Sequence, residues 1–271
     1  MPELPEVETA ARGIAPHVTG RRIVRAVVRE PRLRRPVPRN FASQVAGHMI
    51  TGVRRRGKYL LLATDAGALI IHLGMSGSLR LVPRGTPPQK HDHIDLELDN
   101  AMALRLRDPR RFGLMIWTRD DPLVHPLLRD LGPEPLEPAF TGEELFQHSR
   151  GRRVPVKQFI MDAKAVVGVG NIYANEALFA AGIHPRRAAG RVSREEYRAL
   201  ARAVKRVLRH AIGRGGTTLR DFVAEDGRPG HFQQRLKVYG REAQSCHRCG
   251  GLIEQQRLGQ RATYFCRHCQ H

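Results

Sequence analysis

No cysteine occurs before residue 246, and the chain holds only four in all. A disulfide-stapled secreted scaffold would spread them along its length, so that class is excluded. No apolar run approaches the roughly 18 residues that a membrane-spanning helix needs, which excludes a transmembrane helical protein. The opening Met1-Pro2-Glu3-Leu4-Pro5-Glu6 is acidic and lacks the apolar stretch of a secretory signal. No glycine pattern matches the spacing of a P-loop or of a dinucleotide fingerprint. Acidic residues are scarce: 26 Asp+Glu stand against 46 Lys+Arg, for a formal net charge of +20 and a pI near 11.1. What remains is a globular composition, 41% hydrophobic and 27% charged, in 271 residues. That length has room for one large domain or two ordinary ones. The expectation is a cytoplasmic protein with a polyanionic partner.

The positive charge is unevenly placed. Residues 1–149 hold 22 basic and 17 acidic side chains, net +5, whereas residues 150–271 hold 24 and 9, net +15. A field of one sign raises the local concentration of phosphate polymers, so nucleic acid is the favoured partner. A ribosomal or chromatin protein would share this charge, so it names no activity.

The first half reads as strand. Tyr59-Leu60-Leu61-Leu62 and Leu69-Ile70-Ile71-His72-Leu73 are short apolar runs bounded by Gly57 and Gly67. Residues 93–98 alternate strictly, Asp99-Asn100 makes a hairpin turn, and residues 103–107 alternate again. Phe112 to Trp117 is a further strand, and one early helix is predicted from Val7 to Val18. Short strands separated by turns predict an antiparallel sandwich or barrel. Three prolines fall between Pro133 and Pro138, which predicts a linker. Beyond it the period becomes helical. Gly170-Asn171 opens a helix that Gly182 closes, and Ser193-Arg194-Glu195-Glu196 fits a capping box. Tyr197, Leu200, Val204, Val207, Leu208 and Ile212 then follow at helical spacing.

The sharpest spacing in the chain is Cys246-x2-Cys249-x16-Cys266-x2-Cys269. Two such knuckles supply four thiolates that close a tetrahedron round one Zn²⁺ and leave no open position for catalysis. Redox cysteines are the alternative, but they sit at helix N-termini in a βαβ context that is missing here. Pro2 is a second candidate. Once Met1 is removed it is a secondary amine with a reference pKa of roughly 7.7–8.0, nucleophilic at neutral pH. Glu3 beside it could move protons. Basic residues also cluster in Gly- or Pro-marked turns, at Arg54-Arg55-Arg56-Gly57-Lys58 and Asp108-Pro109-Arg110-Arg111-Phe112-Gly113. A phosphate grip or a wedge beside an aromatic ring would look like this, and so would an ordinary exposed turn.

These segments occur together and in order with PELPEVET (2–9), HLGMSGSLR (72–80), KHDHIDL (90–96), LGPEP (131–135), VGVGNIYANEALFAAGIHP (167–185), GGTTLRDF (215–222) and VYGR (238–241). Over its whole length the chain resembles the bacterial formamidopyrimidine-DNA glycosylase family. The opening is PELPE, not the PEGPE of the related endonuclease VIII branch.

The resemblance implies an α+β protein. Residues 1–133 would form an antiparallel β-sandwich, 134–236 a helical helix–two-turn–helix domain, and 237–271 a four-cysteine zinc-finger β-hairpin. It implies excision of oxidised purines, 8-oxoguanine and formamidopyrimidines, from duplex DNA, followed by strand cleavage at the abasic site through β,δ-elimination. Pro2 would be the nucleophile, Glu3 a proton donor, Lys58 the lysine that assists β-elimination, and Arg261 the zinc-finger arginine of δ-elimination. His91, Arg110, Arg152, Lys157 and Asn171 match DNA-contact positions. Met75, Arg110 and Phe112 resemble the residues that fill the hole left by a flipped nucleotide. The segment Thr217 to Arg235 resembles the loop that covers the flipped purine. Implied partners are DNA with oxidised purines or abasic sites and one structural Zn²⁺, with a monomer bound to the nucleoid. The competing class is a non-catalytic zinc-ribbon DNA-binding protein, against which Pro2, Glu3, Lys58 and Arg261 are all intact.

Overall fold

The computed structural model describes residues 2–215 and 236–271. The chain divides near residue 129 into two compact units. The predicted lesion-covering segment, Thr217 to Arg235, lies outside the described residues.

The first unit opens with helix α1 (Leu4–Val18), followed by β1 (Ile23–Val28), a short α2 (Phe41–Val45), β2 (Ile50–Arg56), β3 (Tyr59–Thr64), β4 (Gly67–His72), β5 (Ser78–Pro83), β6 (Asp92–Leu98), β7 (Met102–Arg107) and β8 (Leu114–Thr118). Two four-stranded sheets form, in the orders β1-β6-β7-β5 and β2-β3-β4-β8. Every pairing is antiparallel. Alternate residues of each sheet meet in one core: Leu60 and Leu62, Leu69 and Ile71 from one, and Ile94, Leu96, Leu104 and Leu106 from the other. Val7, Ala10, Ile14 and Val18, at helical spacing on α1, join the same core. Full burial of each such Leu or Ile stabilises by about 1.5–3 kcal/mol. The expected sandwich is therefore present.

Several boundaries differ from expectation, each for a local reason. Helix α1 begins at Leu4, three residues before Val7, because Pro5 stands in the first turn, where a missing N–H costs nothing. Arg54-Arg55-Arg56 is not a turn but the end of β2, paired with Leu61, Leu60 and Tyr59. Only Gly57-Lys58 turns. Phe112 and Gly113 precede their strand, which starts at Leu114. Strands β1, β2 and β5 carry too little alternation to be predicted, and pairing with a neighbour supplies what their own pattern lacks.

Strand β6 shows why alternation misleads here. Its polar residue Asp95 is buried like its apolar neighbours. Arg105 on β7 grips that carboxylate with two hydrogen bonds of 2.8 Å, and Arg29 adds one of 2.6 Å. Arg105 also reaches Asp92 at 3.3 Å. Burial raises the Asp95 pKa, but the bonds from Arg105 and Arg29 outweigh it and hold the carboxyl below its usual range.

The second unit carries α3 (Gly142–Ser149), α4 (Val156–Met161), α5 (Asn171–Ala181), α6 (Arg194–Gly213) and a hairpin of β9 (Ile253–Leu258) and β10 (Arg261–Cys266). The capping box opens α6: Ser193 Oγ accepts from Glu196 N–H at 3.2 Å, and Ser193 N–H donates to Glu196 Oε2 at 2.7 Å. An unpredicted second box, Thr141 with Glu144, opens α3. On α6 Tyr197, Leu200, Val204 and Leu208 are buried, while Val207 and Ile212 are half-buried. Helix α5 is capped by Gly170 rather than by a side chain, and Gly182 closes it in the left-handed conformation. Among the described residues no helix is long and apolar enough to cross a membrane.

Candidate active site and metal centre

In the first unit Pro2 stands directly ahead of α1, and Glu3 is the residue that caps the helix. Glu3 is 2% exposed, and its backbone N–H donates to Glu6 Oε2 at 2.8 Å. Lys58 sits on the two-residue turn between β2 and β3. One residue that the sequence marked only as part of a basic run joins these parts. Arg55, on β2, donates from Nε to Glu8 Oε2 of α1 at 2.8 Å and from Nη1 to the Gly57 carbonyl at 3.0 Å. The helix that begins at the proline is thus tied to the turn that carries the lysine.

The same unit presents the three expected hole-filling residues on its surface. Met75 is 40% exposed and Phe112 45%, unusual for large apolar side chains. The Arg110 guanidinium lies over the Phe112 ring, 4.9 Å from its centroid. His91 occupies a positive-φ turn (φ 75°), and its carbonyl accepts from Asp108 N–H at 3.0 Å.

In the second unit Arg261 follows the turn Gly259-Gln260, both at positive φ, and is exposed at the start of β10. Its strand is pinned from below. Lys157 is 1% exposed, and its ammonium donates to Ala262 O at 2.9 Å and to Thr263 Oγ1 at 2.7 Å. Asn171 Nδ2 donates to the same Ala262 carbonyl at 3.1 Å, and its buried Oδ1 has no partner among the described residues. Tyr264 N–H donates to Asn175 Oδ1 at 2.8 Å. The structure therefore places Lys157 and Asn171, both expected at phosphates, beneath the strand that begins with Arg261. Arg152 is exposed and donates to the last turn of the preceding helix α3, at His148 O, at 3.2 Å. Glu176, unremarked in the sequence, accepts the backbone N–H groups of Lys237, Val238 and Tyr239, each at 2.9 Å.

Cys246, Cys249, Cys266 and Cys269 bring their four sulfurs within 4.8 Å of one another. Cys246 Sγ and Cys269 Sγ are 3.9 Å apart, and Cys249 Sγ and Cys266 Sγ 3.5 Å. Zn–S bonds of about 2.3 Å in a tetrahedron give sulfur separations of about 3.8 Å, so the set fits zinc. Burial and the three neighbouring sulfurs push the Cys269 thiol up to about 12. Four thiolates so close need a divalent cation to offset their charge. The cluster is one structural zinc site.

Three family models match the chain in succession: the formamidopyrimidine-DNA glycosylase N-terminal domain over residues 1–115, the H2TH domain of the same glycosylase over 131–223, and a zinc finger found in FPG and IleRS over 244–271. The formamidopyrimidine-DNA glycosylase of Syntrophotalea carbinolica is 60% identical over 270 residues, 100% of both chains. The crystal structure of the MutM (FPG) protein of Thermus thermophilus superposes with a TM-score of 0.87 at 41% identity, covering 99% of this chain and 98% of that one. Lactococcus lactis Fpg in complex with abasic-site DNA gives a TM-score of 0.89 at 32% identity over 100% of both chains. With a sandwich, helices and a four-cysteine hairpin in the matching order, this chain belongs to the formamidopyrimidine-DNA glycosylase family.

Proposed function

We propose that this chain removes oxidised purines, 8-oxoguanine and formamidopyrimidines, from duplex DNA and then cleaves the strand at the resulting abasic site. The observation that carries the reading is the Pro2–Glu3 pair at the head of α1: a proline whose nitrogen becomes an amine once Met1 is removed, beside the buried Glu3, with Arg55 tying their helix to the turn of Lys58. The reading assigns catalysis to residues 1–133, DNA binding to 134–236 and the zinc finger to 237–271, in a monomer.

The chemistry follows from the amine. A flipped nucleotide exposes C1′, which a stacked one does not. The Pro2 nitrogen bonds to C1′ as the bond from C1′ to the base breaks; the Glu3 carboxylate takes the proton that the nitrogen loses and passes it to the departing base. Opening of the sugar ring leaves an iminium, an electron sink that acidifies the hydrogens on C2′. Loss of one of them expels the 3′ phosphate, assisted by Lys58. A second elimination expels the 5′ phosphate, with Arg261 balancing its charge. His91, Arg152, Lys157 and Asn171 hold the backbone, Lys157 and Asn171 acting through the strand that carries Arg261. Met75, Arg110 and Phe112 fill the vacated stack.

The test is a borohydride trap on a duplex with 8-oxoguanine opposite cytosine, using protein whose Met1 has been removed. A covalent adduct that maps by mass to Pro2 is expected. No adduct on this duplex or on an abasic one, with binding intact, overturns the lyase reading in favour of a non-catalytic DNA-binding protein.

A further inference from the structure

Two loops of the first unit carry the exposed trio, residues 73–77 with Met75 and residues 108–113 with Arg110 and Phe112. The carboxylate of Asp108 joins them. Asp108 is 0% exposed, and the groups that hydrogen-bond its carboxylate are neutral donors. Oδ1 accepts from Ser76 Oγ–H at 2.9 Å, across to the first loop, and from Arg110 N–H at 3.3 Å. Oδ2 accepts from Gly113 N–H at 2.7 Å, at the far end of its own loop. Arg110 N–H also lies 3.3 Å from Ser76 Oγ, so the serine hydroxyl closes a ring between the loops. The Asp108 backbone is fixed as well, its carbonyl 2.8 Å from His93 Nε2.

The loops also touch as bare backbone. A Cβ on Gly74 would lie 2.5 Å from Gly113 N and from Phe112 C, and residue 74 has φ +65°, so only glycine fits. Gly74 N–H donates to His72 Nδ1 at 2.9 Å, which requires that nitrogen to be unprotonated. Thus the bases of both loops are rigidly cross-linked while their tips, Met75 and Phe112, stand in solvent. A wedge forced between bases has to hold its shape against the stack. A buried carboxylate tolerates its position only while each of its donors stays in place, which makes it a stiff joint.

We propose that Asp108 is the positioning residue of the wedge. Its carboxylate locks the Met75 loop to the Arg110–Phe112 loop, so that the three side chains enter a duplex as one body. This rests on the reading of that trio as hole-filling residues. Asp108 touches no reacting atom.

The experiment compares Asp108→Asn and Ser76→Ala with the parent protein on two substrates. One is a duplex with 8-oxoguanine opposite cytosine and 2-aminopurine beside it; the other is a single-stranded oligonucleotide with an abasic site, where nothing has to be unstacked. Asp108→Asn is expected to slow the 2-aminopurine fluorescence rise and base release by about tenfold to a hundredfold, and to change trapping on the single strand by less than about threefold. Ser76→Ala, which removes only the bridge between the loops and spares the fold, is expected to shift the same ratio by about threefold to tenfold. Equal losses on both substrates, or no change in the fluorescence rise for either variant, overturn the proposal. A parent protein that unstacks the duplex faster than both variants but traps nothing supports the positioning role and overturns the catalytic reading alone.

Discussion

The sandwich and the helical unit differ in how many of their arginines meet a carboxylate. In the sandwich several do, turned inward or paired on the surface: Arg105 and Arg29 with Asp95, Arg55 with Glu8, Arg25 with Glu97, Arg32 with Glu30; Arg21, Arg39, Arg84 and Arg119 are exposed. In the helical unit the ion pairs sit near helix starts, Arg187 with Glu196 and Arg194 with Glu143, while Arg152, Arg206, Arg248 and Arg267 are exposed. The asymmetry in net charge, +5 against +15, follows from the acidic partners, 17 in residues 1–149 against 9 in residues 150–271. Arginine in the first unit holds strands and a helix in register. In the second it generates an external field for phosphates.

The contrast can be broken most directly in the sandwich. Arg105→Ala leaves Asp95 and Asp92 buried without their shared cation and is expected to cost about 3–5 kcal/mol, read from urea unfolding. Arg206→Ala on α6, an exposed site, is expected to stay within about 0.5 kcal/mol. Equal effects would erase the distinction.

A smaller effect concerns His72, half-buried beside the Met75 loop. Burial, with Arg34 and Lys58 nearby, lowers its pKa to about 4, against a smaller opposing pull from Asp108. Between pH 4 and 6.5 the unfolded chain binds a proton that the folded one does not, so stability rises with pH across that window. The full span is worth on the order of 3 kcal/mol. Thermal melts from pH 4 to 7 should show the rise, and a His72→Asn variant should flatten it.

The smallest effect sharpens the external half of the comparison. Arg152→Ala is expected to reduce the slope of log affinity for non-specific duplex against log salt by about one. Arg25→Ala, whose guanidinium is already paired with Glu97, should leave the slope unchanged. A titration of fluorescent duplex across salt concentrations reads both.

Parts of this were legible in the residues and parts were not. The zinc site could be read because its ligands are two CxxC pairs whose spacing already encodes a tetrahedron. The core strands β3, β4, β6 and β7 could be read because alternation and apolar runs are local. Helix α6 could be read from its own cap and stripe. Arg54 to Arg56 could not, because their strand conformation comes from β3 and not from their own side chains. Asp108 stood in plain view within DPRRFG, yet its role depends on Ser76, 32 residues away in sequence. The family resemblance put Lys157 at a DNA phosphate, and in the structure its ammonium is buried. Its partners, Ala262 and Thr263, are 105 and 106 residues distant, and no local pattern announces them.

The sequence by itself determined the core strands, the capped helices and the metal, because periodicity, caps and cysteine spacing act over a few residues at a time, and it pointed to the family through motifs that recur in order. Tertiary structure decided which charges face inward and which outward, which loops are cross-linked, and what each polar side chain grips. Those choices belong to long-range pairs. A buried charge is tolerable only where distant parts of the chain close round it with matching hydrogen bonds, and that closure exists only once the strands and helices have packed.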